Sequence, residues 1–282
     1  MGDQKISVDS FDITKACKNK FNAIIIGKRN TGKSTIVQDI LFHLNHAKVP
    51  RVCVFSGTEE ASGFYKQFVP GTFIHNDSNV EESLEKILDG QKALTSKIQM
   101  GKIPKDTDIR IAIVLDDVGY KKGTLKSEVV RQIFMNGRHY GIISILAVQY
   151  AMDPPVDIRT NTDYVFVMKQ NASVKNLYEQ FFSGFSCLKD FKVVLDACTE
   201  NYESFVLDNT MPSTDVSKVC FYFKALYGRK FKIGSPALWK FHNKWHMSDE
   251  QRMERKERLQ KAVDKNGSYK ASVKGGLIVK KN

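Results

Sequence analysis

Short apolar runs alternate with longer mixed stretches along most of the chain. The runs Phe21–Ile26, Arg51–Phe55, Arg110–Leu115, Ile142–Val148, Asp163–Met168, Glu203–Leu207 and Cys220–Lys224 are rich in Ile, Val and Phe and have the length of strands. Several are continuous rather than alternating, the pattern of strands covered on both faces in a mostly parallel sheet. Between them, Lys33–Leu44, Val80–Met100, Lys126–Tyr140, Val174–Phe182 and Cys187–Cys198 are predicted as helices. The β-α-β-α-β order predicts an α/β fold, a sheet flanked by helices with its sites at the carboxyl ends of the strands. Beyond Asp215 the pattern changes. Val216–Met247 mixes aromatic with basic residues, which reads either as a folded cap or as a surface for nucleic acid. So many Phe and Trp are costly to leave in water, so a cap is expected. Asp249–Asp264 reads as a charged helix, and Lys265–Asn282, rich in Gly, Ser and Lys, as a disordered tail. The expected organisation is a core over 1–215, a cap over 216–248 and an extension over 249–282.

The most specific motif is Gly27-Lys28-Arg29-Asn30-Thr31-Gly32-Lys33-Ser34-Thr35, which satisfies G-x-x-x-x-G-K-[ST] in full. It follows an apolar strand and opens a helix, the context in which backbone N–H groups wrap phosphates at a positive helix end. Lys33 is expected to reach the β- and γ-phosphates, and the Ser34 hydroxyl to ligate Mg²⁺. The strand ending in Asp116-Asp117 supplies a second element. The first carboxylate would hold the metal shell and the second would polarise water. Asp116-Asp117-Val118-Gly119 also matches the D-x-x-G switch of GTPases. That reading needs an N-K-x-D base reader, and Asn243-Lys244-Trp245-His246 lacks the acid. A third element runs from Arg138 to Gln149. Gln149 closes a strand expected beside the one ending at Asp116, in reach of the γ-phosphate or the attacking water. Arg138 is a candidate for stabilising transition-state charge in a neighbouring subunit, with Arg159 and Arg131 as weaker candidates.

Charge adds a partner to this picture. The net charge is +12, and residues 216–282 hold 17 basic against 5 acidic residues, so the whole excess lies in the last part of the chain. Such asymmetry suits a polyanion, and a solubilising tail fits it equally. Lys121, Lys122 and Lys126, after the second motif, are candidate DNA-phosphate contacts. Five scattered Cys with no C-x-x-C spacing argue against a disulfide framework or a zinc ribbon. The polar start of the chain and the absence of a long apolar run predict a soluble, intracellular protein without a membrane span.

The combination of G-x4-G-K-S-T, a strand ending in Asp116-Asp117, R-H-x4-S-x4-Q from Arg138 to Gln149, and Ile158-Arg159-Thr160-Asn161 leading into Asp163–Met168 resembles the poxvirus-type genome-packaging ATPases of the nucleocytoplasmic large DNA viruses, in the FtsK–HerA superfamily. The resemblance covers roughly residues 20–210. It implies a RecA-like core, ATP as substrate with Mg²⁺, a ring of identical subunits (a pentamer or hexamer), and translocation of double-stranded DNA into a preformed capsid. It also implies a capsid or portal protein as partner, and a place in the host cytoplasm, in the viral factory, or in the virion. One departure concerns the second acid, often Glu in the superfamily and here Asp117. That leaves Glu59 or Glu60 as alternatives for positioning the water. The rival readings are a cellular translocase or helicase of the same superfamily, a P-loop phosphotransferase, and a basic DNA-coating protein with a vestigial P-loop. No nuclease activity is expected, because the C-terminal part lacks a separate cluster of acids.

Overall fold

The computed structural model describes residues 7–118 and 123–246, residues 251, 254, 257 and 258, and the backbone of 273, 274, 277 and 278. The chain divides into a unit over Met1–Lys240 and a second over Phe241–Asn282. In chain order the first unit holds β1 (Asp9–Ser10), α1 (Ile13–Ala16), β2 (Asn22–Ile26), α2 (Lys33–His46), β3 (Arg51–Ser56), α3 (Glu59–Ser62), β4 (Ile74–His75) and α4 (Val80–Gln99). It continues with β5 (Ile111–Asp116), α5 (Glu128–Asn136), β6 (Ile142–Val148), α6 (Val156–Thr160), β7 (Tyr164–Val167), α7 (Val174–Phe181), α8 (Leu188–Cys198), β8 (Ser204–Asp208), α9 (Val216–Val219) and β9 (Cys220–Phe223). Helix α10 (Pro236–Trp245) spans the boundary between the units.

The nine strands form one sheet in the order β1-β9-β8-β7-β2-β6-β5-β3-β4. From β4 to β7 every pairing is parallel, and β8 alone runs against its neighbours. The continuous apolar runs are explained by burial on both sides. Ile24, Ile26, Phe55, Leu115, Leu146 and Val165 face a core completed by α4, α5, α7 and α8. Ala23, Ile25, Val54, Val114, Ile145 and Phe166 face the other core, which holds Ile36, Val37, Ile40 and Leu44 of α2 together with Phe11, Phe21 and Phe68. Each strand thus sends alternate residues into two separate cores.

Two expectations need correction. The helix expected over Lys126–Tyr140 is broken into a 3₁₀ turn at Thr124–Lys126, α5, and a second 3₁₀ turn at Gly137–Tyr140. Ser127 is the break: its backbone is extended (ψ 149°), and its hydroxyl donates to the Thr124 carbonyl at 2.8 Å instead of continuing a helix. The edge strands β1 and β4 were absent from the sequence reading, since a two-residue strand has no period to detect, and α10 lies within the stretch read as a cap. Of the charged helix expected at Asp249–Asp264, residues 251, 254, 257 and 258 are helical, with Arg258 pairing Glu254 at 3.7 Å, and the others lie outside the described residues. Most of the tail at Lys265–Asn282 also lies outside them. Within it, Val273–Lys274 (β10) pairs antiparallel with Leu277–Ile278 (β11). Among the described residues no helix is long and apolar enough to cross a membrane.

Past Asp215 the chain builds sheet rather than leaving it. Strand β9 lies between β8 and β1. The segment after it returns to α2, where buried Asp39 accepts hydrogen bonds from the Leu226 N–H at 3.0 Å and the Arg229 Nε at 2.9 Å. The Arg229 guanidinium lies 3.9 Å above the Phe42 ring, and Phe231 stacks on Phe68 at 4.9 Å. Asp39→Ala strands the Leu226 N–H and removes the counter-charge of Arg229. It is expected to lower the unfolding free energy by about 1–3 kcal/mol, as measured by urea denaturation.

Candidate active site at the carboxyl edge

Because β2, β3, β5, β6 and β7 run parallel, their carboxyl ends share one edge, and the sequence-predicted motifs are the segments that leave it. The P-loop leaves β2 clamped between its neighbours: the Gly27 N–H donates to the Val148 carbonyl of β6 at 3.1 Å, and the Met168 N–H donates to the Ile26 carbonyl at 2.8 Å. No side chain fits at Gly27. A Cβ there would lie 2.6 Å from Thr31 Oγ1 and 2.7 Å from Met168 Cγ. Gly32 has φ 103°, a left-handed value that turns the loop into α2 at the cost lowest for glycine. Thr31 donates its hydroxyl to the Lys28 carbonyl at 2.8 Å, which closes the loop on itself. Lys33, though only 7 % exposed, donates to the same carbonyl at 3.2 Å, so its ammonium lies across the loop it belongs to. Lys28, Arg29 and Asn30 are exposed on the rim, and Ser34 and Thr35 are half-buried in the first turn of α2.

Asp116 ends β5, buried, and its Oδ2 accepts the Tyr65 hydroxyl at 2.8 Å. Burial pushes its carboxyl up to about 6; the Tyr65 hydroxyl and the Lys33 charge pull it down, while Asp117 and Glu59 push it up. Asp117 follows in the left-handed region at φ 53°, a strained setting for a non-glycine residue. Its backbone N–H donates to the Ala147 carbonyl at 3.3 Å, and its Oδ1 accepts from Gln149 Nε2 at 3.2 Å. Asp116, Asp117 and Gln149 are therefore brought together on adjacent strands with Lys33 nearby in charge.

The alternative acids are committed elsewhere. Buried Glu59 accepts from the backbone N–H groups of Tyr65 at 3.0 Å and Lys66 at 2.9 Å, one on each oxygen. Exposed Glu60 accepts from Asn76 Nδ2 at 3.2 Å. Glu59 thus holds Tyr65, and Tyr65 holds Asp116. Tyr65 carries no motif and was missed by the sequence reading; only the folding of its 3₁₀ turn (Tyr65–Gln67) under β5 brings it to the carboxylate.

The arginines fall outside this edge. Arg138 precedes β6, at the amino edge, and its Nη1 pairs with Asp163 Oδ1 at 2.5 Å; Asp163 Oδ2 accepts the Asn22 N–H at 2.8 Å. The seven residues of β6 separate Arg138 from Gln149, on the order of 20 Å along the strand. Within its own subunit Arg138 does not reach the P-loop. Arg159 is buried, donating to the Pro154 carbonyl at 2.7 Å and to Gln180 Oε1 at 2.9 Å, and Arg131 pairs with Asp157. Lys126 is exposed in its 3₁₀ turn, while Lys121 and Lys122 lie outside the described residues.

A P-loop at the end of a central parallel strand, faced by two acids and a glutamine on the next strands, defines a P-loop nucleoside triphosphatase with a RecA-like core. The chain belongs to the Poxvirus A32 protein family, whose model matches residues 8–225. It is 33% identical over 250 residues to the uncharacterized protein L437 of Acanthamoeba polyphaga mimivirus, covering 87% of this chain and 86% of that one. It is 31% identical over 217 residues to the uncharacterized protein 075L of Invertebrate iridescent virus 6, covering 73% and 81%. Among solved structures its fold is similar to that of the genome packaging NTPase B204 from Sulfolobus turreted icosahedral virus 2 in complex with sulfate. That match has a TM-score of 0.52 at 12% identity and covers 74% of this chain and 98% of that one. Such low identity speaks for the fold alone.

The buried Asp116 carboxylate makes a pH prediction. Its folded value near 6 lies above that of an unfolded aspartate, so the folded state binds the proton more tightly. From this group alone, stability falls as pH rises from about 4 to about 6 and stays lowered above that. Asp116→Asn, which keeps an acceptor for Tyr65 but carries no charge, is expected to raise the melting temperature of the ligand-free protein at pH 8. At pH 5 about half of the gain should remain, and near pH 4 it should largely vanish.

Proposed function

We propose that this protein hydrolyses ATP at the carboxyl edge of its sheet and uses the cycle to drive double-stranded viral DNA into preformed capsids. The observation that carries the reading is the meeting of Lys33, Asp116, Asp117 and Gln149 at one edge, in a chain of the Poxvirus A32 protein family. That the fold neighbour is a genome packaging NTPase points the same way.

In this reading the backbone N–H groups of the loop and the Lys33 ammonium receive the β- and γ-phosphates. Ser34 and Asp116 offer hard oxygen donors, and among the described residues no group of three or more His, Cys, Asp or Glu forms a dedicated cage. That donor set fits Mg²⁺, which binds through one or two protein oxygens together with substrate phosphates. Bound there, the ion would neutralise charge on the phosphates. Asp117 polarises the attacking water and accepts its proton, and Gln149 fixes the orientation of Asp117 through their hydrogen bond. Glu59 serves as a positioning residue through Tyr65. Arg138 acts in trans: the amino edge of one subunit meets the carboxyl edge of the next in a ring, a pentamer or hexamer, and the arginine exchanges Asp163 for the γ-phosphoryl oxygens. Lys126, with Lys121, Lys122 and the basic tail, contacts DNA phosphates without reading sequence. A capsid or portal protein receives the ring, in the host cytoplasm or the virion.

ATP hydrolysis is expected to rise with long double-stranded DNA, and the stimulation to fall steeply with salt. Lys33→Ala is expected to lose ATP binding. Asp117→Asn is expected to keep it while hydrolysis drops by about 10²–10⁴-fold. Near-parental hydrolysis by Asp117→Asn would exclude Asp117 as the water-positioning acid.

Arg138→Ala is expected to fold, bind ATP and turn over on the order of 10³-fold more slowly or worse. Mixing it with Lys33→Ala tests the trans assignment. At some interfaces the first contributes an intact P-loop and the second an intact arginine, so part of the activity should return. Absence of rescue in rings shown by native mass spectrometry to be mixed would overturn it.

A further inference from the structure

A cleft of 490 Å³ opens beside the P-loop. Asn30 and Thr31 form one wall, Met168 and Lys169 leave the end of β7 into it, and the turn that enters β8 closes the far side with Tyr202. The Met168 side chain runs beneath the loop, close enough to exclude a Cβ at Gly27 and to crowd one at Gly32, where Met168 Cε lies at 3.3 Å. The cleft therefore begins where the phosphates would end and continues over an apolar thioether.

Its outer lip is unusual in backbone and in surface. Asn201 (φ 49°) and Tyr202 (φ 62°) are consecutive non-glycine residues in the left-handed region, which is sterically costly for a ring-bearing side chain. The turn is tied down around them. Buried Thr199 donates its hydroxyl to the Leu195 carbonyl at 2.7 Å, the Glu203 N–H donates to the Glu200 carbonyl at 2.9 Å, and Glu203 pairs with Lys224 at 3.5 Å. The outcome is a Tyr202 ring held on a strained turn and left 76% exposed. A cost in backbone and an aromatic ring in water bring no return within the subunit. Both are accounted for by a flat apolar ligand group that arrives with the triphosphate.

We infer that Tyr202 is the platform on which the base of the bound nucleotide stacks, and that this contact selects purine over pyrimidine nucleoside triphosphates. Stacking grows with the area of the base and ignores its edge, so adenine and guanine are held alike and the smaller pyrimidines less well. The inference rests on the P-loop holding a nucleoside triphosphate.

The test uses the full-length protein and three ligands in magnesium buffer: ATP, CTP and inorganic tripolyphosphate, which has the charge of the phosphate chain and no base. Kd values come from calorimetry on the parent, Tyr202→Phe and Tyr202→Asn, since Asn tolerates positive φ and the exposed ring supports no core. Tyr202→Asn is expected to weaken ATP about 5- to 100-fold, leave tripolyphosphate unchanged and erase the preference for ATP over CTP, while Tyr202→Phe stays near the parent. Unchanged ATP binding in Tyr202→Asn, or equal losses for ATP and tripolyphosphate, overturns the platform and leaves the P-loop reading standing. A parent protein that binds neither ATP nor tripolyphosphate overturns both.

Discussion

Strand β2 is held on both sides, and the rest of the site depends on that. Between β6 and β7, with every residue from Asn22 to Ile26 buried, it can neither slide nor turn without exposing one of two cores. The last two backbone bonds of this clamp, Gly27 to Val148 and Met168 to Ile26, fall where the strand becomes the phosphate loop. A loop that must wrap a polyanion with its N–H groups loses less entropy on binding if its ends are already fixed. The absence of a Cβ at Gly27 lets Met168, just past β7, close beneath the loop.

The acids next to this rigid loop are where the molecule gives up stability. Asp116 is a carboxylate taken out of water at the end of a buried strand, with a second acid beside it. A single neutral hydroxyl, that of Tyr65, and the charge of Lys33 offset this only in part. Glu59 adds a further buried acid, satisfied by two backbone N–H groups, whose task is to keep Tyr65 in place. Asp117 adds backbone strain at φ 53°. A protein selected for stability alone would place neutral groups at these positions; the retained negative charge is what a bound cation, as in the proposed function, would relieve.

The amino edge of the same strands carries a second polar cluster. Asn22, the first residue of β2, donates its side-chain amide to the carbonyls of Phe134 at 2.6 Å and Asn161 at 2.9 Å, while Asp163 binds both the Asn22 N–H and Arg138. The two ends of β2 thus carry the phosphate loop and the arginine cluster, a strand length apart. That separation keeps a subunit's arginine away from its own loop, which is why the proposed ring assigns it to the neighbour's.

The sequence by itself determined the strand order along the chain, the P-loop and the paired acids. These rest on local signals, apolar runs of strand length and a phosphate loop whose spacing is set by its own backbone. Seven of the strands were legible because burial on both faces leaves a continuous apolar run. Edge strands of two residues were not, and Ser127 broke a helix through a hydrogen bond that no periodicity displays. Tertiary structure alone decided which partner each acid has. Glu59 and Glu60 were alternatives to the favoured Asp117, and the fold gives Glu59 two backbone donors and Glu60 an exposed asparagine. It also decided that Tyr65 touches Asp116, fifty-one residues away in the chain, and that Tyr202 lies on the lip of the cleft beside the P-loop. Such contacts come from the packing of distant segments, and a lone tyrosine in a sequence has the same appearance wherever the fold will carry it.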